Sequence, residues 1–264
     1  MRMELFGIKT PLIKPGDDIP GILLESMQHQ GINIRHKDIL AVTSKAISSA
    51  ENRIVGLASV IPSEKAEKLA EAYSMEPEYV ELIMKEADEI LDGVSHALLT
   101  VKNGTMVANA GIDRKNAPDN HVALWPLDYR EAADRIRKEI HRRTGKRIGI
   151  LLTDSRVTPL RMGTTSFALA ISGFSPVKDC RGEKDLFGKP LLITQMALAD
   201  DLACAAHLLM GETAERIPAV LIRGAPVELD EKANPRLMHI QPDKCLFMKT
   251  LRHKLLRNQS AEST

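Results

Sequence analysis

Residues 144–155 read TGKRIGILLTDS, and the rest of the chain is parsed outward from them. From Ile148 to Leu152 the run is almost continuously apolar, so it predicts a buried strand that reaches the surface at Asp154. Just upstream, Asp128 and Glu131 form an Asp-x-x-Glu capping box that opens a helix to about Arg143, and Gly145 closes it. A second buried strand, KDILAVTS at 37–44, runs directly into KAISSAENR. SFALAIS (166–172), PLLIT (190–194) and PAVLIR (218–223) predict further strands. Helices are predicted over PSEKAEKLAEAY (62–73) and EPEYVELIMKEADEIL (76–91). The second carries Tyr79, Val80, Ile83, Met84, Ala87 and Leu91 at helical spacing, and the polar content of both suggests a surface pair. QMALADDLACAAHLLMGE (195–212) predicts one more helix, with Leu198, Leu202, Ala205 and Leu209 on one stripe. The mixture is α/β or α+β, and periodicity does not choose between them.

The 264 residues are 44% hydrophobic, enough for a core without covalent staples, and one domain is expected over residues 1–255. No internal repeat is visible, and the polar end, residues 256–264, is expected to fray. Lys and Arg number 36 against 35 Asp and Glu, so no global field steers the protein toward nucleic acid or an anionic membrane. Cys180, Cys204 and Cys245 are odd in number and far apart, which argues against a disulfide framework and a zinc site. The N-terminus meets lysine and proline before a signal-type apolar segment develops, and no stretch approaches about 20 apolar residues. A soluble, cytoplasmic protein is expected.

Two aspartates following apolar runs are the first candidates for chemistry. Asp154 ends its strand where sites of open sheets usually lie, and Asp113 follows a glycine in MVANAGIDRKNAPDN at 106–120. Taken singly, each fits a turn or cap. Together, with Ser155 and Asn116 supplying neutral oxygens nearby, they are the hard ligand set that Mg²⁺ or Mn²⁺ prefers, usually alongside nucleotide phosphates. Neither GxxxxGK[ST] nor GxGxxG occurs, so no P-loop or dinucleotide fingerprint is present. TGKR at 144–147 reads as a helix cap leading into a strand. His121 and His207 fit packed or solvated side chains. The seven Lys and Arg of RIRKEIHRRTGKR fit a solvated helix face, since only 3% of residues are aromatic and able to stack on bases.

Seven motifs in order suggest a family: TPLIKPGDD, VTSKAISSAENRI, NAGIDRKN, TGKRIGILLTDS, GFSPVKDCRGEKDLFGKPL, ADDLACAAHLLMGE and IPAVLIRG. Over residues 8–224 the chain resembles the gamma-glutamyl ligase of coenzyme F-420 biosynthesis. The resemblance implies an α+β fold with mixed sheets and surface helices, assembled as an intertwined homodimer. It implies GTP as co-substrate and two divalent cations, Mg²⁺ or Mn²⁺. The implied reaction joins L-glutamate to the lactyl carboxylate of a deazaflavin phosphate through an acyl phosphate, releasing GDP and phosphate. By matching position, Asp113 and Asp154 are implied metal ligands with Ser155. Pro11, Leu12, Ile13, Lys14, Ser44 and Asn116 are implied nucleotide contacts.

Departures from the family pattern carry information too. Its Ser-Thr-x-x-Ser-Lys run falls on Ser44, Lys45, Ala46, Ile47, Ser48 and Ser49, so Ser49 replaces the nucleotide-binding lysine. Lys45, one helical turn away, is the expected substitute. Lys45 and Arg161 are therefore the expected catalytic cations. Arg156, Val157 and Thr158 stand where the family has Asn-Gly-Arg, while Arg161 and Gly163 keep their places. Gln195 is the expected neutral metal ligand where the family has an acid. Two alternatives stay open at this stage: a paralogous amide ligase acting on another carboxylate of folate type, and a catalytically inactive nucleotide-binding dimer.

Overall fold

The computed structural model describes residues 2–252, and the segment expected to fray, residues 256–264, lies outside the described residues. In chain order the first elements are β1 (Glu4–Ile8), α1 (Ile19–His29), β2 (Ile39–Thr43), α2 (Ser44–Ala50), β3 (Ile54–Gly56), α3 (Glu64–Tyr73) and α4 (Pro77–Glu86). Next come β4 (Glu89–Val94), β5 (Ala97–Lys102), β6 (Thr105–Ala108), β7 (His121–Ala123), α5 (Tyr129–Thr144), β8 (Gly149–Val157) and β9 (Thr164–Ser172). The last are β10 (Lys178–Asp179), β11 (Gln195–Met196), α6 (Leu198–Met210) and β12 (Ala219–Arg223).

Five strands form the main sheet in the order β1-β12-β2-β8-β9; β2 and β8 run parallel, and the other neighbours antiparallel. The sheet is mixed, and the fold is α+β. Its apolar runs lack alternation because both faces are covered. Leu40, Val42, Ile150, Leu152 and Leu221 pack with α1, α2 and α5 on one face. Ile39, Ala41, Leu151, Val220 and Ile222 pack with α6 on the other. The expected helix before β8 forms as read: the Asp128 side chain accepts from the Glu131 N–H at 2.9 Å, and Gly145 caps its end with φ 68°.

Four expectations change. The helix drawn over 76–91 ends at Glu86, because Ala87 is already extended and Glu89–Val94 pairs with β5 instead. Sheet pairing outweighs helical spacing at Leu91. Far from being a surface pair alone, α3 and α4 bury Ala66, Ala70, Val80 and Ile83 in a core of their own with Leu98, Ile112 and Val122. PLLIT is not a strand of the main sheet: it lies in a projecting loop with Leu192 and Ile193 78% and 87% exposed. Helix α6 begins at Leu198, so Gln195 stands outside it in β11. Its buried face is Leu198, Ala199, Leu202, Ala203, Ala206 and Met210, while Leu209 faces out, because the small alanines let the helix approach the sheet closely.

A short left-handed turn carries the chain from β6 toward Asp113. Asn109, Ala110 and Gly111 have φ of 52°, 54° and 72°, a conformation that L residues with a Cβ resist. Their neighbours hold them there. The Asn109 side-chain oxygen accepts from the Leu98 N–H at 2.8 Å, the Ala110 N–H reaches Thr100 Oγ1 at 2.9 Å, and Tyr79 Oη donates to the Ile112 carbonyl at 2.9 Å. The Trp125 indole lies against Gly111 so tightly that a Cβ there would meet its ring at 2.2 Å. Gly111→Ala is therefore expected to cost roughly 2–4 kcal/mol, from the left-handed backbone and the displaced indole together. Urea denaturation measures this; a variant as stable as its parent would show that the indole moves aside freely.

Candidate active site

A cleft of about 300 Å³ opens where the parallel pairing of β2 with β8 ends, at the carboxyl end of β2, the usual kind of place for a site in an open sheet. Thr43 and Thr153, paired across those strands, lie at its floor. Around them the cleft is lined by Pro11, Leu12 and Ile13, by Ser44, Lys45 and Ser49 of α2, by Asn116, by Asp154 and Ser155, and by residues 210–218 after α6. Eight of the expected site residues thus share one cavity, together with Ser49 and His207. Lys14 lies just beyond its lining, exposed, with its N–H on Asp17 Oδ2 at 2.7 Å.

Asp154 lies inside β8, which continues to Val157, and so does not end the strand. Its Oδ2 accepts from Trp125 Nε1 and its Oδ1 from the Ser155 N–H at 2.8 Å. Burial pushes this carboxyl up to about 6, against the hydrogen bonds from Trp125 and Ser155 and the attraction of Lys45, with the nearby Asp113 charge adding to the rise.

Asp113 is not part of the cavity lining and stands beside it, behind Lys45. It exchanges both backbone hydrogen bonds with Ala123, at 3.0 and 2.8 Å, and its Oδ1 accepts from the Lys115 N–H at 2.8 Å. Its Oδ2 is paired with Lys45 Nζ. Lys45 and Ser49 are both in α2, and both line the cleft. Asn116, at φ 59°, donates to the Thr213 carbonyl at 3.3 Å and ties the loop after Asp113 to the segment after α6.

Other expected residues are not brought into the cleft. Arg161 is exposed in the turn between β8 and β9, and Gln195 is exposed in β11; neither lines the cavity. Arg156 packs its guanidinium 5.1 Å from the Phe167 ring and donates to Asp200 at 3.3 Å. Among the described residues no three His, Cys, Asp or Glu side chains are arranged to hold a metal ion. The donors fit hard cations in kind, but lysine ammoniums already hold two of the carboxylates.

The second of these is Glu212, which the sequence reading missed. Its Oε2 accepts from Lys115 Nζ at 2.6 Å, and its Oε1 from His207 Nε2 at 2.8 Å and Thr164 Oγ1 at 3.1 Å. Burial pushes its carboxyl up, but the hydrogen bonds from Lys115 and His207 outweigh this and bring it to about 2. A signal for it was present: Glu212 follows Gly211, the cap of α6, where the negative end of the helix disfavours an acid. An acid placed against that field has another reason to be there.

The F420-0:Gamma-glutamyl ligase family model matches residues 7–224. The coenzyme F420:L-glutamate ligase of Archaeoglobus fulgidus is 38% identical over 228 residues, covering 86% of this chain and 90% of that protein. Those of Methanothermobacter thermautotrophicus and Methanocaldococcus jannaschii are 35% and 37% identical, each over 86% of this chain and over 90% and 89% of their own lengths. With its cleft residues falling inside the matched span, the chain belongs to the F420-0:gamma-glutamyl ligase family.

Proposed function

We propose that the protein joins L-glutamate by an amide bond to the lactyl carboxylate of the F-420 deazaflavin precursor, at the expense of GTP. The observation that supports this most is one cleft uniting Asp154, Ser155, Lys45, Ser44, Asn116 and the 11–13 segment, the donors and cations that phosphoryl transfer calls for. A carboxylate oxygen of the acceptor attacks the γ-phosphorus, GDP leaves, and an acyl phosphate forms. The glutamate amine then attacks the acyl carbon, phosphate departs, and the amine loses a proton.

In this reading Asp113, Asp154, Ser155 and the newly found Glu212 would hold Mg²⁺ or Mn²⁺, which supply charge neutralisation at the transferring phosphoryl group. Gln195 and Arg161 would act only from outside the cleft walls. Lys45 offers a mobile point charge for the phosphates. The chain's own part is to orient: Trp125 and the Ser155 N–H fix one lone pair on each oxygen of Asp154, leaving the others free for ligation. Free thiols at Cys180, Cys204 and Cys245 fit the reducing cytoplasm, and among the described residues no helix is long and apolar enough to cross a membrane.

A homodimer is part of the same reading. Leu160 and Met162 at the β8–β9 turn, and Leu186, Phe187 and Ile193 in the loop before β11, are at least 87% exposed, an apolar display that suits an interface between copies. Light scattering should give about twice 29.2 kDa; a monomer at micromolar concentration would contradict the assembly.

Incubation with the deazaflavin substrate, L-glutamate, GTP and Mn²⁺ should yield a glutamate-sized mass increment. Asp113→Asn and Asp154→Asn should each abolish it while folding cooperatively. No increment from the parent protein would sink the proposed activity.

The elevated Asp154 carboxyl adds a stability test. The unfolded chain ionises near 3.8 and the folded one near 6. Between those values the unfolded state sheds its proton first, so the metal-free fold loses stability as pH rises, and the loss is complete above about pH 6. In the presence of chelator, Asp154→Asn should exceed its parent by about 1–3 kcal/mol near pH 7.5 and by nothing near pH 3.5. Equal stability at both pH values would mean the carboxyl is not desolvated.

A further inference from the structure

Three carboxylates, Asp113, Asp154 and Glu212, stand around the cleft against two ammoniums, Lys45 and Lys115. Lys45 is a quarter exposed and lies in helix α2. Lys115 differs: it stands in the loop after Asp113, its side chain is 51% exposed, and its Nζ lies 2.6 Å from Glu212 Oε2. The ammonium is thus bound to one acid of the site, while half of its side chain is exposed.

A carboxylate oxygen that accepts from an ammonium at this distance is closed to a second cation along the same lone pair. A divalent ion on the oxygen's other lone pair would stand close to the ammonium, so like-charge repulsion sets its ligation and the Lys115 pair against one another. Lys115 is half-exposed, so solvent takes up its released charge and a divalent ion, with twice the charge, displaces it from Glu212. The loop that carries the released ammonium stays beside the cleft, because the Lys115 N–H remains on Asp113 Oδ1 and Asn116, which lines the cleft, still anchors the loop to Thr213.

Resting on the reading of the cleft as a metal and nucleotide site, we propose that Lys115 is a second phosphate-binding lysine that exchanges between Glu212 and the nucleoside triphosphate as a divalent cation takes the carboxylate. It serves as a counter-ion for Glu212 in one state and as a ligand for the phosphates in the other. A loop anchor would not do this: breaking an anchor weakens every ligand of the site together.

The exchange demands effects of opposite sign, which binding measurements on the full chain can read without turnover. Trp125 is the one tryptophan in the sequence and hydrogen-bonds Asp154, so its fluorescence reports Mn²⁺ arriving at the cleft. In Lys115→Gln, Mn²⁺ alone should bind about two- to fivefold tighter, because the competing ammonium is gone. GTP in the presence of saturating Mn²⁺, without acceptor or glutamate, should bind about tenfold or more weaker, and Lys115→Arg should recover much of that loss. Circular dichroism of both variants checks that the fold is kept. Weakening of Mn²⁺ and GTP alike in Lys115→Gln, or no change in either, overturns the exchange. Parent protein that binds neither Mn²⁺ nor GTP overturns the reading of the cleft itself, and the proposal with it.

Discussion

The Trp125 indole joins the parts of the molecule that make the cleft. One side of it rests on Gly111, at the end of the left-handed turn that delivers Asp113. Its N–H meets the carboxylate of Asp154 on the central sheet. Lys102 Nζ lies 5.2 Å from the ring, the Arg53 guanidinium donates to the Trp125 carbonyl at 3.1 Å, and Glu86 binds both cations, at 2.5 and 3.1 Å. Burial acts to raise the Glu86 carboxyl, yet Lys102 and Arg53 together hold it below the usual range, so the acid is a satisfied partner of the network. The two candidate aspartates come from separate cores, one built on α3 and α4, the other on the main sheet. The indole contacts both, and so it fixes their relative position.

Electrostatically, the site separates its acids. Asp154 is part-buried with only neutral donors on its oxygens, and desolvation holds its proton up to about 6. Glu212 has a lysine, a histidine and a threonine on it and falls to about 2. Carboxylates pushed apart in this way are a mark of function more than of structure, because a stabilising ion pair needs only the second arrangement. The desolvated Asp154 is the acid that gains most from a cation, and the ion-paired Glu212 the one with a cation to exchange.

How much of this was legible depends on which force set each feature. The Asp128 cap, the Gly145 stop and the buried strand after it follow from local grammar, though the strand runs on past Asp154 to Val157; the 11–13 segment, Ser44, Lys45, Asn116, Asp154 and Ser155, singled out by matched position or donor chemistry, line one cleft. Leu91, Ile193 and Leu209 misled, because each carries an apolar side chain whose burial is decided by tertiary partners and not by spacing. Glu212 and Lys115 were missed for another reason. They meet across 97 residues, and neither lies in a pattern with a period. Gln195 was assigned by position along the family's order, and that order does not reveal that the chain turns away into β11 before α6 begins.

The site is also divided mechanically. Asp154 and Ser155 lie on β8 just past the end of its pairing with β2 and are held by β9, and Asp113 follows a turn whose unfavourable backbone is held by Asn109, Thr100 and Tyr79. Strain of that kind persists only where the surroundings over-determine it, so this half of the cleft resists displacement and sets where a ligand must lie. The other half, Lys115, Asn116 and Glu212 to Glu215, is carried on exposed connections joined by single hydrogen bonds and weak ion pairs. Such elements shift for little free energy. The reaction proposed for the cleft, with three substrates and an acyl phosphate, would need both: a fixed frame for the phosphoryl group and walls that follow the substrates in and out.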